Sequence, residues 1–128
     1  MKKIIAVVDD DEIYRIIIKK MISISGLFEA DHVFNDPQKA LLSFKEEGIK
    51  PDVILLDVNM PTIDGWEFLD DLKANCPEVY NNCDIYIVTS SIYSKDQEKA
   101  LSYKEVRGFI SKPMSQEILK KVASPEVF

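Results

Sequence analysis

Histidine is nearly missing from this chain: His32 stands alone among 128 residues that include 22 acids. It lies in a predicted strand, far in sequence from Cys76 and Cys83, so a zinc centre is disfavoured. Those two cysteines are the only ones, with six residues between them, and read as reduced structural thiols rather than a disulfide. Apolar runs long enough to span a bilayer are lacking, which excludes a membrane helix. No basic-then-apolar leader opens the chain, so secretion is not expected. An excess of basic charge is lacking too. The net charge of −6 argues against direct binding to nucleic acid or to an anionic membrane surface. Repeats, low-complexity tracts and linkers are also absent, and this length supports one domain with a real core. The remainder, 46% hydrophobic and 30% charged, is the composition of a soluble, cytoplasmic, globular protein and says nothing of function.

What is present is alternation. Residues 3–8, Lys-Ile-Ile-Ala-Val-Val, read as a buried strand. From Asp11 to about Ser25, Ile13, Ile16, Ile17, Met21 and Ile24 recur at helical spacing and mark the expected inward face. Gly26 stops that helix. Residues 28–34 form a less apolar strand, suited to a sheet edge. Asp36 and Pro37 are a helix cap and first residue, with Ala40, Leu41 and Phe44 inward and an end near Gly48. A third strand covers 52–57. Asp64-Gly65 then turns the chain into a helix whose inward face is Phe68, Leu69, Leu72 and Cys76. "CPEVYNNC" reads as a loop, 84–89 as a fourth strand, and about 95–103 as a mostly polar helix. A fifth strand, 107–111, precedes a last helix capped by Ser115. Trp66 is expected on the surface or against the second helix; Tyr80, Tyr86 and Tyr93 are expected at interfaces or half-buried.

Strand and helix thus alternate five times. Such a chain predicts an α/β fold with a five-stranded parallel sheet covered on both faces. Right-handed crossovers make it doubly wound and flavodoxin-like, with strand order 2-1-3-4-5. In open α/β sheets the ligand site lies beyond the carboxyl ends of the strands, at the switch point beside the first strand.

Those ends carry unusual residues. The first strand ends in Asp9-Asp10, followed by Asp11 and Glu12. One acid at a helix start merely answers the helix dipole; several in succession exceed that need. The third strand runs Val53-Ile54-Leu55-Leu56 into Asp57, where a carboxylate is costly to bury. The fourth ends in Thr89-Ser90-Ser91 and the fifth in Ser111-Lys112-Pro113. Clustered carboxylates raise one another's pKa unless a cation joins them. Hard oxygen ligands suit Mg²⁺, completed by water and phosphate oxygens. Lys112 offers a point charge to a phosphoryl group and Thr89 a hydrogen bond. A carboxylate beside Mg²⁺ and lysine can attack phosphorus, with positioning and charge neutralisation supplying most of the catalysis. Each residue alone has an ordinary reading. Their convergence on one sheet edge does not.

With these motifs in order, the chain resembles the response-regulator receiver domains of two-component signalling. The resemblance runs from "IIAVVDDDE" through "PDVILLDVNMPTIDGWEFL" and "IVTSS" to "GFISKPM". It implies that Asp57 is the phosphoryl acceptor and that Asp9 and Asp10 hold Mg²⁺, Asp10 directly and Asp9 mainly through water. The backbone carbonyl of Asn59 would complete the metal site. Thr89 corresponds to the switch hydroxyl, Phe109 to the switch aromatic and Lys112 to the phosphate-contacting lysine, with a cis peptide before Pro113. The implied partners are a histidine kinase or histidine phosphotransfer protein upstream. Downstream, a protein would dock on the face formed by the predicted 95–103 helix, the fifth strand and the last helix. A phosphorylation-dependent homodimer is also compatible with the resemblance. Phe109 has a plain alternative as simple edge-strand packing, and Phe in place of the frequent Tyr removes a hydroxyl from the switch.

Other functions fit less well. A haloacid-dehalogenase-like phosphatase also forms an aspartyl phosphate, but needs a second Asp two residues on, where Asn59 stands. A flavodoxin-like binder would want a glycine-rich phosphate loop after the first strand, where acids stand instead. A receiver acting only as a scaffold is disfavoured because every site residue is present. The expectation is a non-enzymatic single receiver domain over residues 1–128 with no output domain; a fragment of a larger regulator is the alternative.

Overall fold

Along β1 (Lys3–Val8), Ile5 and Val7 enter one apolar cluster while Ala6 and Val8 enter another. That period-two alternation, apolar on both faces, is what a strand in the middle of a covered sheet requires. The same split recurs in β3 (Val53–Leu56) and β4 (Asp84–Thr89). The edge strands β2 (Phe28–Phe34) and β5 (Val106–Ser111) are mostly half-buried. All pairings are parallel and the order is β2-β1-β3-β4-β5, as the alternation predicts. The computed structural model describes residues 2–58, 64–90, 98–99, 102–103 and 105–124.

Helices α1 (Glu12–Ser25) and α5 (Gln116–Ala123) cover one face, with Tyr14, Ile18, Ile22, Leu119 and Val122 buried against it. Helices α2 (Pro37–Glu46), α3 (Gly65–Asn75) and α4 (Pro77–Asn82) cover the other through Ala40, Phe44, Phe68, Leu69, Leu72 and Val79. The starts follow local chemistry. Asp11 accepts from the Ile13 and Tyr14 amides at 3.0 and 3.2 Å, Asp64 from Glu67 at 2.9 Å, and Ser115 from Ile118 at 3.1 Å. Gly26 ends α1 at φ 62°, a left-handed conformation natural to glycine.

Several expectations are corrected. Ile13, Ile16, Ile17 and Ile24 do not form the inward face of α1; they are 70%, 64%, 51% and 69% exposed. Tyr14, Ile18 and Ile22 face the core instead. This isoleucine-rich helix carries two apolar stripes of helical period, and only the sheet beneath it selects between them. The stretch read as a loop, "CPEVYNNC", holds α4, with Pro77 in its first turn where a missing N–H costs nothing. Cys76 and Cys83, at its two ends, are buried free thiols. Burial pushes both thiols up, Cys83 to about 12. Tyr80 and Tyr86 are buried rather than half-exposed.

Trp66 is buried as well, stacked on Tyr103 at 5.5 Å between ring centroids and 22° between planes. Tyr103 donates from its hydroxyl to Asp70 Oδ1 at 3.0 Å, and Lys99 Nζ lies 5.6 Å over the indole. Of the helix predicted over 95–103, Glu98 and Lys99 are helical, whereas Ser102 and Tyr103, at its expected end, lie in a turn and a bend. Tyr93 lies outside the described residues.

The start of α3 presses on the segment that follows β3. A Cβ at Gly65 would stand 2.6 Å from Val58 Cα and 3.0 Å from the Asp57 carbonyl oxygen. Gly65→Ala is therefore expected to cost about 1–3 kcal/mol through backbone displacement. Urea unfolding should show a lower midpoint at unchanged slope.

Candidate functional site

Beyond the ends of β1, β3 and β5 the ladder continues by one bond. The Asp9 amide donates to the Phe34 carbonyl at 3.1 Å, the Asp57 amide to Val8 at 3.0 Å, and the Lys112 amide to Thr89 at 3.0 Å. β3 stops at Leu56, one residue short of the predicted end, so Asp57 stands just past the strand rather than in it. Its amide is nonetheless held by β1, which fixes the origin of the side chain. Asp9 and Asp57 are buried at 1% and 7% exposure, whereas Asp10 is exposed.

The three carboxylates meet. Oxygens of Asp9, Asp10 and Asp57 lie within 4.8 Å of one another. Lys112 Nζ stands 2.9 Å from Asp9 Oδ2 and donates to Asp57 Oδ2 at 3.4 Å. The contact to Asp9 is an ion pair that lacks hydrogen-bond alignment, leaving Asp9 Oδ2 buried and without a hydrogen bond. Asp9 Oδ1 accepts from the Asp11 amide at 2.9 Å.

Burial works against the charges of Asp9 and Lys112, with unequal results. It pushes the Asp9 carboxyl above its ordinary range, more than Lys112 and the Asp11 amide can offset. On Lys112 burial acts to lower the pKa, but Asp9 and Asp57 outweigh it and hold the ammonium above an ordinary lysine. Lys112 thus stays firmly charged, while Asp9 lacks compensation. A hard cation sharing the three carboxylates would supply it, and an all-oxygen donor set fits Mg²⁺.

Thr89 is buried at 1% exposure at the last position of β4, paired with Ser111. Phe109 on β5 pairs with Ile87 of β4 and packs partly buried against the cluster under α2 and α3. The Lys112–Pro113 peptide is cis, as the resemblance implied. Asn59 lies outside the described residues. Sequence reasoning missed two neighbours of the site. Arg15 donates from Nη1 to the Asp9 carbonyl at 2.8 Å, and the Tyr14 ring lies 4.2 Å from Lys112 Nζ. The spacing Tyr14, Ile18, Ile22 carried the signal for the second, but the flanking isoleucines masked it.

The chain belongs to the response regulator receiver domain family, matching it over residues 5–124. It is a receiver domain of two-component signalling. A two-component response regulator from Cytophaga hutchinsonii superposes with a TM-score of 0.87 and 26% identity, covering 99% of this chain and 98% of that one. Protein-glutamate methylesterase/protein-glutamine glutaminase 3 of Burkholderia thailandensis is 32% identical over 111 residues, 85% of this chain and 29% of that enzyme. The chain spans about a fifth to a third of the length of the curated relatives it matches. The receiver domain of a Pseudomonas aeruginosa sensor histidine kinase shares the fold, with a TM-score of 0.79 at 20% identity over 98% of this chain and 97% of that one. That structure has a magnesium ion coordinated in its active-site cleft.

Because the Asp9 carboxyl titrates higher in the folded protein than in the unfolded chain, the folded state retains a proton that the unfolded state has released. The group's contribution to stability therefore falls as pH rises above the ordinary carboxylate range. Asp9→Asn removes the disfavoured charge and leaves Asp57 to hold Lys112. In metal-free buffer at pH 7, calorimetry should show a higher midpoint, the usual trade of site function for stability. A lower midpoint would mean that the Lys112 pair outweighs burial.

Proposed function

We propose that this chain is a cytoplasmic phosphoacceptor, taking a phosphoryl group on Asp57 from a histidine kinase or histidine phosphotransfer protein in a Mg²⁺-dependent reaction. The observation that carries this reading is Lys112, its ammonium poised between Asp9 and Asp57 within a three-carboxylate cluster. An Asp57 oxygen would form the new P–O bond as the donor's P–N bond breaks, the imidazole leaving with the electron pair. Lys112, already beside that oxygen, would pair with the phosphoryl group and neutralise charge developing on it. Asp9, Asp10, Asp57 and the carbonyl of Asn59 are the residues that would hold Mg²⁺. When bound, the ion supplies charge neutralisation to the carboxylates and phosphoryl oxygens. The metal in the cleft of the Pseudomonas receiver supports the same assignment here.

The switch follows from Thr89 and Phe109. The buried Thr89 hydroxyl would donate to a phosphoryl oxygen, and Phe109 would move into the space this vacates. Phosphorylation drives that change only as far as it favours the active arrangement over the inactive one. The output surface in this reading is β5, α5 and the helix predicted over 95–103. An open groove of about 440 Å³ there, lined in part by Arg107, Phe109, Ile118 and Lys121, offers room for a partner protein, or for a second copy on phosphorylation. Residues 1–128 form a single receiver domain in this reading and carry no output activity, catalysing only phosphoryl gain and loss at Asp57.

Incubation with acetyl phosphate and Mg²⁺ should add one phosphoryl mass to the intact protein, and Asp57→Asn should abolish the addition. Persistence of that mass in the variant sinks the assignment of Asp57. Separately, Mg²⁺ should raise the thermal midpoint of the parent, and Asp10→Ala should remove the rise. An equal response in both proteins would place the metal elsewhere.

A further inference from the structure

Lys112 has a third neighbour besides its two carboxylates. Its Nζ lies 4.2 Å from the centroid of the Tyr14 ring, well inside the range of a cation–π contact. Tyr14 is 8% exposed, its amide is capped by Asp11 at 3.2 Å, and the next residue, Arg15, donates to the Asp9 carbonyl at 2.8 Å. The first turn of α1 is thereby tied to the end of β1, and the ring has little freedom to withdraw. The Tyr14 hydroxyl is buried and makes no hydrogen bond among the described residues, so Lys112 is met by the ring face and not by the oxygen.

We propose that Tyr14 is a positioning residue for phosphoryl acceptance: its ring seats the Lys112 ammonium at the mouth formed by Asp9 and Asp57. A lysine stem is long and rotamer-rich, and ordering it is entropically costly. Two carboxylates attract the ammonium but set no floor beneath it. Esterification of Asp57 would replace its carboxylate charge with that of the phosphoryl group, and Lys112 must pass from one to the other without leaving the site. The ring is neutral, and its attraction does not depend on the charge of Asp57. It is also less directional than a hydrogen bond, so the ammonium can shift from carboxylate to phosphoryl oxygen without losing its seat. The proposal deepens the reading of Asp57 as acceptor and rests on it for its kinetic arm.

The test compares the parent with Tyr14→Phe, which keeps the ring, and with Tyr14→Leu and Tyr14→Met, which remove it. Two variants are used so that loss of folding in one, checked by thermal midpoint, does not end the test. In the parent and in Tyr14→Phe, the Lys112 ε-protons should appear shifted upfield by the ring in carbon–proton NMR spectra. In the Leu or Met variant they should return to the position of an ordinary lysine. Phosphorylation of folded protein by acetyl phosphate should be within about twofold of the parent for Tyr14→Phe, and about fivefold to tenfold slower for Leu or Met. An unshifted Lys112 in the parent overturns the proposal. So does a parental rate in the ringless variants, or a Phe variant as slow as they are. Should the parent take no phosphate, the acceptor reading fails by itself, and the Lys112 shifts still decide whether Tyr14 seats the lysine.

Discussion

Lys112 reaches from the end of β5 across to Asp9 and Asp57, at the ends of β1 and β3, and closes what would otherwise be a rim of like charges. Two nearly buried carboxylates a few ångströms apart repel each other and both lose hydration. Without an internal cation they would protonate or push the strand ends apart. The lysine answers the geometry of a parallel sheet, which brings the carboxyl ends of β1, β3, β4 and β5 to one edge whether or not their residues are compatible. A cluster that burial disfavours therefore persists because the sheet imposes it, and it leaves Asp9 short of compensating charge. That shortfall suits the edge to a divalent cation, which three carboxylates could share.

Holding such a cluster demands a backbone that cannot yield. Three strands lend their last carbonyl to the first residue beyond a neighbour: Phe34 to Asp9, Val8 to Asp57, Thr89 to Lys112. Beneath them β1, β3 and β4 are buried on both faces, so movement of a strand end would disturb two apolar clusters at once. The same register sets Thr89 opposite Ser111, and Phe109 two residues before it on the edge strand.

Much of this was legible in the linear chain, for reasons particular residues show. β1, β3 and β4 are short apolar runs bounded by polar residues, and burial on both faces leaves no competing pattern. Asp36-Pro37, Asp64-Gly65 and Ser115 announce helix starts because capping is a local interaction. Asp9, Asp10, Asp57 and Lys112 could be grouped because strand ends are local and the crossover rule is general. Where alternatives were locally equivalent, the reading failed. α1 carries two apolar stripes, and nothing within the helix says which meets the sheet. Trp66 reads as lying on the surface or against the second helix, and its stacking partner goes unseen because Tyr103 stands 37 positions away in sequence.

The sequence by itself determined the order of elements, the parallel sheet and the identity of the charged residues at its edge. Those follow from periodicity, capping and the handedness of connections, which act over a few residues or by general rule. Only the tertiary structure decided which face of α1 is buried, that Lys112 lies closer to Asp9 than to Asp57, and that Tyr14 lies against that lysine. Such facts depend on distances between side chains far apart in the chain. No local pattern encodes them, because packing and the cost of buried charge are settled only when all the elements are in place.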